Sequence, residues 1–279
     1  MAARAQLIVI RPADAAWANI GAHLRRLSEY GDLLRTLSVH RINVRYRQTV
    51  LGVGWAVLQP LLMMTIFAIV FSRLAGMPSE GAPYALFAYA ALLPWTFLAT
   101  AVTSATGSLV SNSDLITKVY FPREILPGTY VVAALFDFAI GLLALGALMA
   151  WYEVPVRPAV LYLVPVMMLL AAWALAVSLL MSAAQVRWRD VGVAMPVFMQ
   201  VWMFVSPVIY PLGVVPDAWR PLYLLNPMAG IVNSFRDVLL RGTPPAAGPL
   251  AFALIVTLCA LPAAYLFFKS VDATMADIV

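Results

Sequence analysis

Six stretches of the chain, at about 52–75, 84–110, 125–151, 159–184, 192–210 and 250–268, are nearly free of charge, with only Arg73 and Asp137 inside them. A helix crosses a bilayer with about 20 largely apolar residues, and lipid favours it because its backbone polar groups are satisfied within the segment. Only 11% of the residues are charged, whereas a soluble domain carries about 25%, so the reading is an all-α integral membrane protein with six transmembrane helices. Pro60, Pro94, Pro165, Pro196, Pro207 and Pro262 lie in or near the spans and predict kinks there, which neighbouring helices can accommodate.

At 45–60 a basic, polar segment turns apolar, with Trp55 at the changeover, as at a membrane entry. An even number of spans places both termini on one side. Under that topology 13 of the 18 Lys and Arg residues fall on the N-terminal side, Arg41, Arg45 and Arg47 among them. The other five are Arg73, Arg157, Arg220, Arg236 and Arg241. Cations are retained in cytoplasmic loops, so both termini are predicted to be cytoplasmic. The first 48 residues contain several arginines and no apolar run, so no signal peptide is read and the segment is expected to remain. The net charge of +5 sits beside the spans and not along a solvated stripe, which argues for topology signals and against nucleic acid. Cys259 is the only cysteine, which excludes an intrachain disulfide and a Cys-X-X-Cys pair.

Three domains are read: a cytoplasmic tail at 1–28, an amphipathic interface helix at 29–48 and a transmembrane domain at 49–279. In the interface helix Tyr30, Leu33, Leu34, Leu37 and Val44 share one arc at helical spacing. Ile42 falls off that arc and Arg41 falls within it, so Arg41 is expected to snorkel to the membrane surface. The outer segment 211–248 is too long for a turn. Asp217 is placed to cap a short helix to about Leu225, and Asn226-Pro227 supplies a cap and a first-turn proline for a second, ending at Gly242. The second has an apolar stripe of Met228, Ile231, Val232, Phe235 and Leu239 opposite Asn233, Arg236 and Asp237, and is too short to span. It is predicted to dip into or lie on the outer membrane surface.

The only lysines, Lys118 and Lys269, do not follow the glycine pattern of a phosphate-cradling loop, so no ATP site of that kind is present. His23 and His40 lie in the tail and interface segments, which leaves the spans without a histidine metal site or proton relay. No metal site is predicted. Asp137 is an intramembrane acid, either functional or simply hydrogen-bonded to a neighbouring helix, and the second reading is favoured because proton-coupled carriers use several such groups. In the inner loop 111–124, Asn112, Ser113 or Asp114 can cap a two-turn helix that stops before Pro122. Leu115, Ile116, Val119, Tyr120 and Phe121 are more apolar than a connector requires and predict a docking knob.

These residues carry a family resemblance. Arg45-Tyr46-Arg47-Gln48-Thr49-Val50-Leu51-Gly52, Trp55 with Gln59-Pro60, Leu115 through Arg123, Arg189-Asp190-Val191, Ser206-Pro207-Val208-Ile209-Tyr210 and Leu225-Asn226-Pro227 resemble, in order, the membrane subunit of ABC exporters that move bacterial O-antigen, capsule and wall teichoic acid. The resemblance implies a permease homodimer in the inner membrane, assembled with two copies of a separate ATPase that binds ATP and Mg. Its substrate would be an undecaprenyl-linked glycan. It further implies that Asp114, Leu115, Ile116, Lys118, Val119, Tyr120, Phe121 and Arg123 couple to the ATPase. Asp217, Trp219, Asn226, Pro227, Ile231, Phe235 and Arg236 would belong to a pair of re-entrant gate helices.

Trp95, Trp173 and Trp202 lie mid-span, where lipid gives no preference for tryptophan. Packing accounts for Trp173. Trp95 and Trp202, extended by Tyr84, Tyr89 and Phe198, are candidates for an aromatic track on which sugar rings slide, between two copies around a two-fold axis. A secondary transporter would show repeated halves and more intramembrane ionisable groups, and a membrane transferase would need clustered acids or histidines at the interface. Neither pattern is present.

Overall fold

The computed structural model describes residues 30–272 and Met275, and these are helical with connecting loops. In chain order the helices are α1 (Gly31–Tyr46), α2 (Trp55–Phe67, continued as a π-helical segment Ala68–Leu74), α3 (Tyr84–Thr106), α4 (Ser113–Lys118), α5 (Ile125–Trp151), α6 (Leu163–Arg187), α7 (Asp190–Val205), α8 (Arg220–Leu224), α9 (Pro227–Arg236, continued as Asp237–Arg241) and α10 (Ala247–Asp272). The tail at 1–28 lies outside the described residues. Below, the end of the bundle that carries α4 is called inner and the end that carries α8 and α9 outer.

Among the described residues, five helical stretches are long and apolar enough to cross a membrane: Gly52–Leu74, Tyr84–Thr106, Ile125–Trp151, Pro158–Arg187 and Ala247–Asp272. Burial within the chain separates them: 78% of the apolar window is buried in α3, against 11% in the stretch containing α2 and 17% in α10. So α3 is the central post. Its buried Leu86, Leu98, Ala101 and Val102 pack against α5, α6, α9 and α2. α6 and α10 pack along each other, and the buried residues of both include small side chains, Ala174, Ser178 and Ser182 on one helix and Ala253, Thr257 and Ala264 on the other.

The fifth predicted span is a correction in length. α7 has 16 residues and stops at Val205, five short of the predicted end, because Ser206, before Pro207, is extended at φ −97° and ψ 145°. Met195, Met199 and Met203 recur at one-turn spacing and are buried, while Val193, Val197 and Val201 face outwards.

α1 is corrected at Arg41, which does not snorkel; Val44, of the expected apolar arc, is 61% exposed. The seated face runs through Leu33, Leu34, Leu37, Ser38, Arg41, Ile42 and Tyr46. Ser38 is buried on that face and donates to the Leu34 carbonyl of its own helix at 2.7 Å. Arg41 enters a hydrogen-bonded socket on α5 instead of snorkelling.

Candidate functional site

At the inner end the chain presents the docking segment as a small knob. α4 is one and a half turns long, and its position before the first turn is Asn112, whose side chain makes no capping bond. Asn112 instead donates to the Ser108 carbonyl at 2.6 Å and accepts from Arg41 at 3.2 Å. Ile116 and Phe121 turn inwards at 5% and 6% exposure, into a cluster with Leu126, Val186 and Phe268. Tyr120 and Val119 turn outwards at 80% and 51% exposure. Lys118 pairs with Asp114 at 2.9 Å, but both are solvated and the pair contributes little. Leu115 is half-buried. Arg123 faces the protein and donates to the Asp272 carbonyl at 2.6 Å. Three residues to which the sequence reading gave no role at the site complete this end: Lys269 lies 2.7 Å from Glu124 and 3.1 Å from Asp272, all largely buried. A signal was available, since Lys269 is one of two lysines and follows an apolar span at once.

Arg41 donates to Thr129 Oγ1 at 2.9 Å, to the Tyr130 hydroxyl at 2.6 Å and to Asn112, with its guanidinium 3.9 Å from the Tyr130 ring centroid. Burial lowers its pKa, opposed by Tyr130. One turn on, Arg45 pairs with Asp137 of α5, and Tyr46 donates its hydroxyl to the same carboxylate. Burial and that bond to Asp137 push the Tyr46 hydroxyl well above the ordinary phenol range. Asp137 is therefore hydrogen-bonded to a neighbouring helix. Arg47 is exposed. Beside the clasp is a cavity of about 350 Å³ lined by Arg45, Tyr46, Trp55, Gln59, Thr96, Thr100 and Asp137 on its polar side and by Leu93, Phe97 and Phe138 on its apolar side. Its lining can hold a hydrated polar group.

The outer end is built on the broken end of α7. Asn226 caps α9 by accepting from the Met228 N–H at 3.1 Å, as Asn-Pro predicts. It also accepts from the Trp202 indole at 3.2 Å and donates to Ser206 at 2.8 Å, so it ties α9 to α7. The helix stops at Gly242, whose φ of +64° favours glycine, with Arg157 packed where a side chain would stand. Asp217 does not cap α8; it pairs with Arg220 at 2.8 Å, and both Asp217 and Trp219 are exposed.

α9 is corrected in placement. Pro227, Ile231 and Phe235 are buried among α3, α6 and α10 instead of facing lipid. Arg236, expected on the polar face, is 1% exposed. Its guanidinium donates to the carbonyls of Pro207 and Val208, each at 2.7 Å, and of Tyr210 and Phe87, each at 3.4 Å, and lies 3.5 Å from the Phe87 ring centroid. Irregular backbone at membrane depth is tolerated where the protein satisfies it, and Arg236 does so for 207–210. Helical periodicity could not reveal this, because the partners are backbone groups 26–29 residues away.

Of the aromatic candidates, Tyr84, Tyr89 and Trp95 are buried at 7%, 0% and 4% exposure. Tyr84 donates to the Ile209 carbonyl at 2.7 Å and Tyr89 to that of Gly141 at 3.3 Å, so their hydroxyls serve helix contacts. Trp202 is the hub, edge-on to Trp95 at 5.9 Å and Trp173 at 6.2 Å, and 5.6 Å from the exposed Phe198.

Long apolar helices, an exposed knob at one end and a satisfied helix break at the other define a polytopic helical membrane protein. The chain belongs to the ABC-2 type transporter family, whose model matches residues 32–240. It is 32% identical over 252 residues, 88% of this chain and 95% of the relative, to the O-antigen export system permease protein RfbA of Myxococcus xanthus. It is 24% identical over 213 residues, 76% and 82% of the two chains, to the protein of the same name from Klebsiella pneumoniae. It is 22% identical over 219 residues, 75% and 81%, to the polysialic acid transport protein KpsM of Escherichia coli.

Proposed function

We propose that this chain is the transmembrane subunit of an ATP-driven exporter that moves lipid-linked polysaccharide, O-antigen in the first instance, across the bacterial inner membrane. Two copies of the chain assemble with two copies of a separate ATPase, which binds ATP and Mg. In this reading both termini are cytoplasmic, α7 and the irregular segment after it form the fifth of six spans, and α8 and α9 are the gate pair. The relative from Myxococcus xanthus, matched over nearly its whole length, supports O-antigen as substrate; the more distant polysialic acid protein supports capsule-type polymer as the alternative. Burial of Tyr84, Tyr89 and Trp95 inside one chain favours a passage between copies, reached through Phe198 and Trp202, over a channel within one chain.

The observation that carries the reading is the knob at 113–121, anchored by Ile116 and Phe121 and offering Tyr120 and Val119 to a partner. A chain without its own phosphate loop needs such a contact to draw on ATP. The test is affinity purification of the tagged chain from its host. The ATPase is expected to co-purify, and Tyr120→Ala to weaken the complex by about 2 kcal/mol, roughly thirtyfold, while leaving the chain's yield unchanged. An undiminished complex would remove the knob from the docking surface.

A further inference from the structure

We infer that α10 is the element that carries the state of the inner docking loop to the outer helix α9, with Lys269–Glu124 and Gly230–Pro249 as its two joints; the inference rests on the function proposed above. The inner joint is ionic and largely enclosed. Lys269 lies 2.7 Å from Glu124, with side chains 14% and 6% exposed, and Arg123 donates to the Asp272 carbonyl at 2.6 Å. Glu124 and Arg123 directly follow the knob, so its base cannot shift without carrying the end of α10 or breaking bonds between groups withdrawn from water. Phe268 lies in the same buried cluster as the knob's anchors Ile116 and Phe121.

The outer joint is a backbone contact. A Cβ at Gly230 would overlap the Pro249 carbonyl and touch the Ala253 methyl, so α9 lies directly on the first turn of α10. Close-packed interfaces without slack transmit displacement, whereas flexible side chains absorb it. Between Pro249 and Lys269 is one helix of about 30 Å, at 1.5 Å per residue, unbroken through Pro262 and packed along α6. In this inference it shifts or tilts as a unit. α9 in turn holds 207–210 through Arg236, so its movement reaches the irregular segment after α7. Glu124 and Lys269 are therefore positioning residues of the coupling step.

The test uses the purified complex with its ATPase, a Cys259→Ala background and a spin label at Asn233→Cys on α9. Trapping ATP with vanadate is expected to change the label's spectrum in the otherwise unaltered chain. In Glu124→Gln with Lys269→Gln, that change is expected to fall about tenfold, inside the ordinary range of coupling between sites, while co-purification and basal ATP hydrolysis persist. The exchanged pair, Glu124→Lys with Lys269→Glu, made together with Asp272→Asn to remove the second carboxylate 3.1 Å from position 269, is expected to restore the response, and it is read in the same assay if the neutral pair does not assemble. A full spectral change in the neutral pair, or none in the unaltered complex, would overturn the role of α10. Failure of the ATPase to co-purify with the unaltered chain would instead overturn the function on which the inference rests.

Discussion

Arg236 shows how much one side chain can decide. Its planar donors span separated carbonyls, a geometry that the ammonium of lysine cannot reproduce. Arg236→Leu leaves the Pro207 and Val208 carbonyls buried without a donor, at about 1–3 kcal/mol each. The expected outcome is a marked fall in the thermal midpoint of the detergent-solubilised protein, only partly recovered by Arg236→Lys; full recovery would show that charge alone matters. Tyr120 and Phe121 are neighbours with opposite duties, 80% and 6% exposed. Phe121→Ala is expected to cost about 3–5 kcal/mol of stability by opening a cavity, measurable as a lower midpoint, whereas Tyr120→Ala leaves the midpoint unchanged. The Arg45–Asp137 clasp gives a third outcome. Neutralising Arg45 leaves the Asp137 carboxylate, 20% exposed, with the Tyr46 hydroxyl as its partner, so Arg45→Gln with Asp137→Asn is expected to be more stable than the sum of the single changes implies, by a few tenths of a kcal/mol for a pair whose arginine is solvated. Strict additivity in a double-mutant cycle would mean that the two groups act independently.

Among the elements, α9 departs most from a surface helix. Ile231 and Phe235 are fully buried, so Ile231→Asp or Phe235→Asp places an unpaired charge in the core and is expected to abolish recovery of monodisperse protein. Normal recovery on size exclusion would return α9 to the membrane surface. The elements also show what was legible in the sequence. α5 was delimited at both ends, because a long apolar run between Glu124 and a terminal Trp151 leaves little choice. The Asn226 cap and the Gly242 stop were legible because local chemistry alone determines them. The end of α7 was not, since Pro207 sits in a run that stays apolar and hydropathy does not see a lost backbone bond. Nor was the socket of Arg41: its place on an apolar arc predicts snorkelling, while the fold supplies Thr129, Tyr130 and Asn112 as partners. Polar groups whose partners lie far along the chain are invisible to any local pattern.

For the molecule as a whole, α3 is a buried post while α2 and α7 expose apolar faces, an arrangement that suits lipid on one side and a second copy on another. The proposed orientation rests on the distribution of the cations. In a Cys259→Ala background, an impermeant thiol reagent added outside is expected to label Ala218→Cys and to leave Thr117→Cys unlabelled until the membrane is opened. Equal labelling of the two would refute the arrangement of inner and outer ends. That the chain exports a lipid-linked polysaccharide with energy from a separate ATPase is tested most directly in the host itself, by deleting its gene and following the polymer. The account predicts that the polymer disappears from the cell surface and accumulates lipid-linked on the cytoplasmic side, and that this chain restores it only with a hydrolysis-competent ATPase. Undiminished surface polymer in the deletion strain, or restoration with the ATPase disabled, would contradict it.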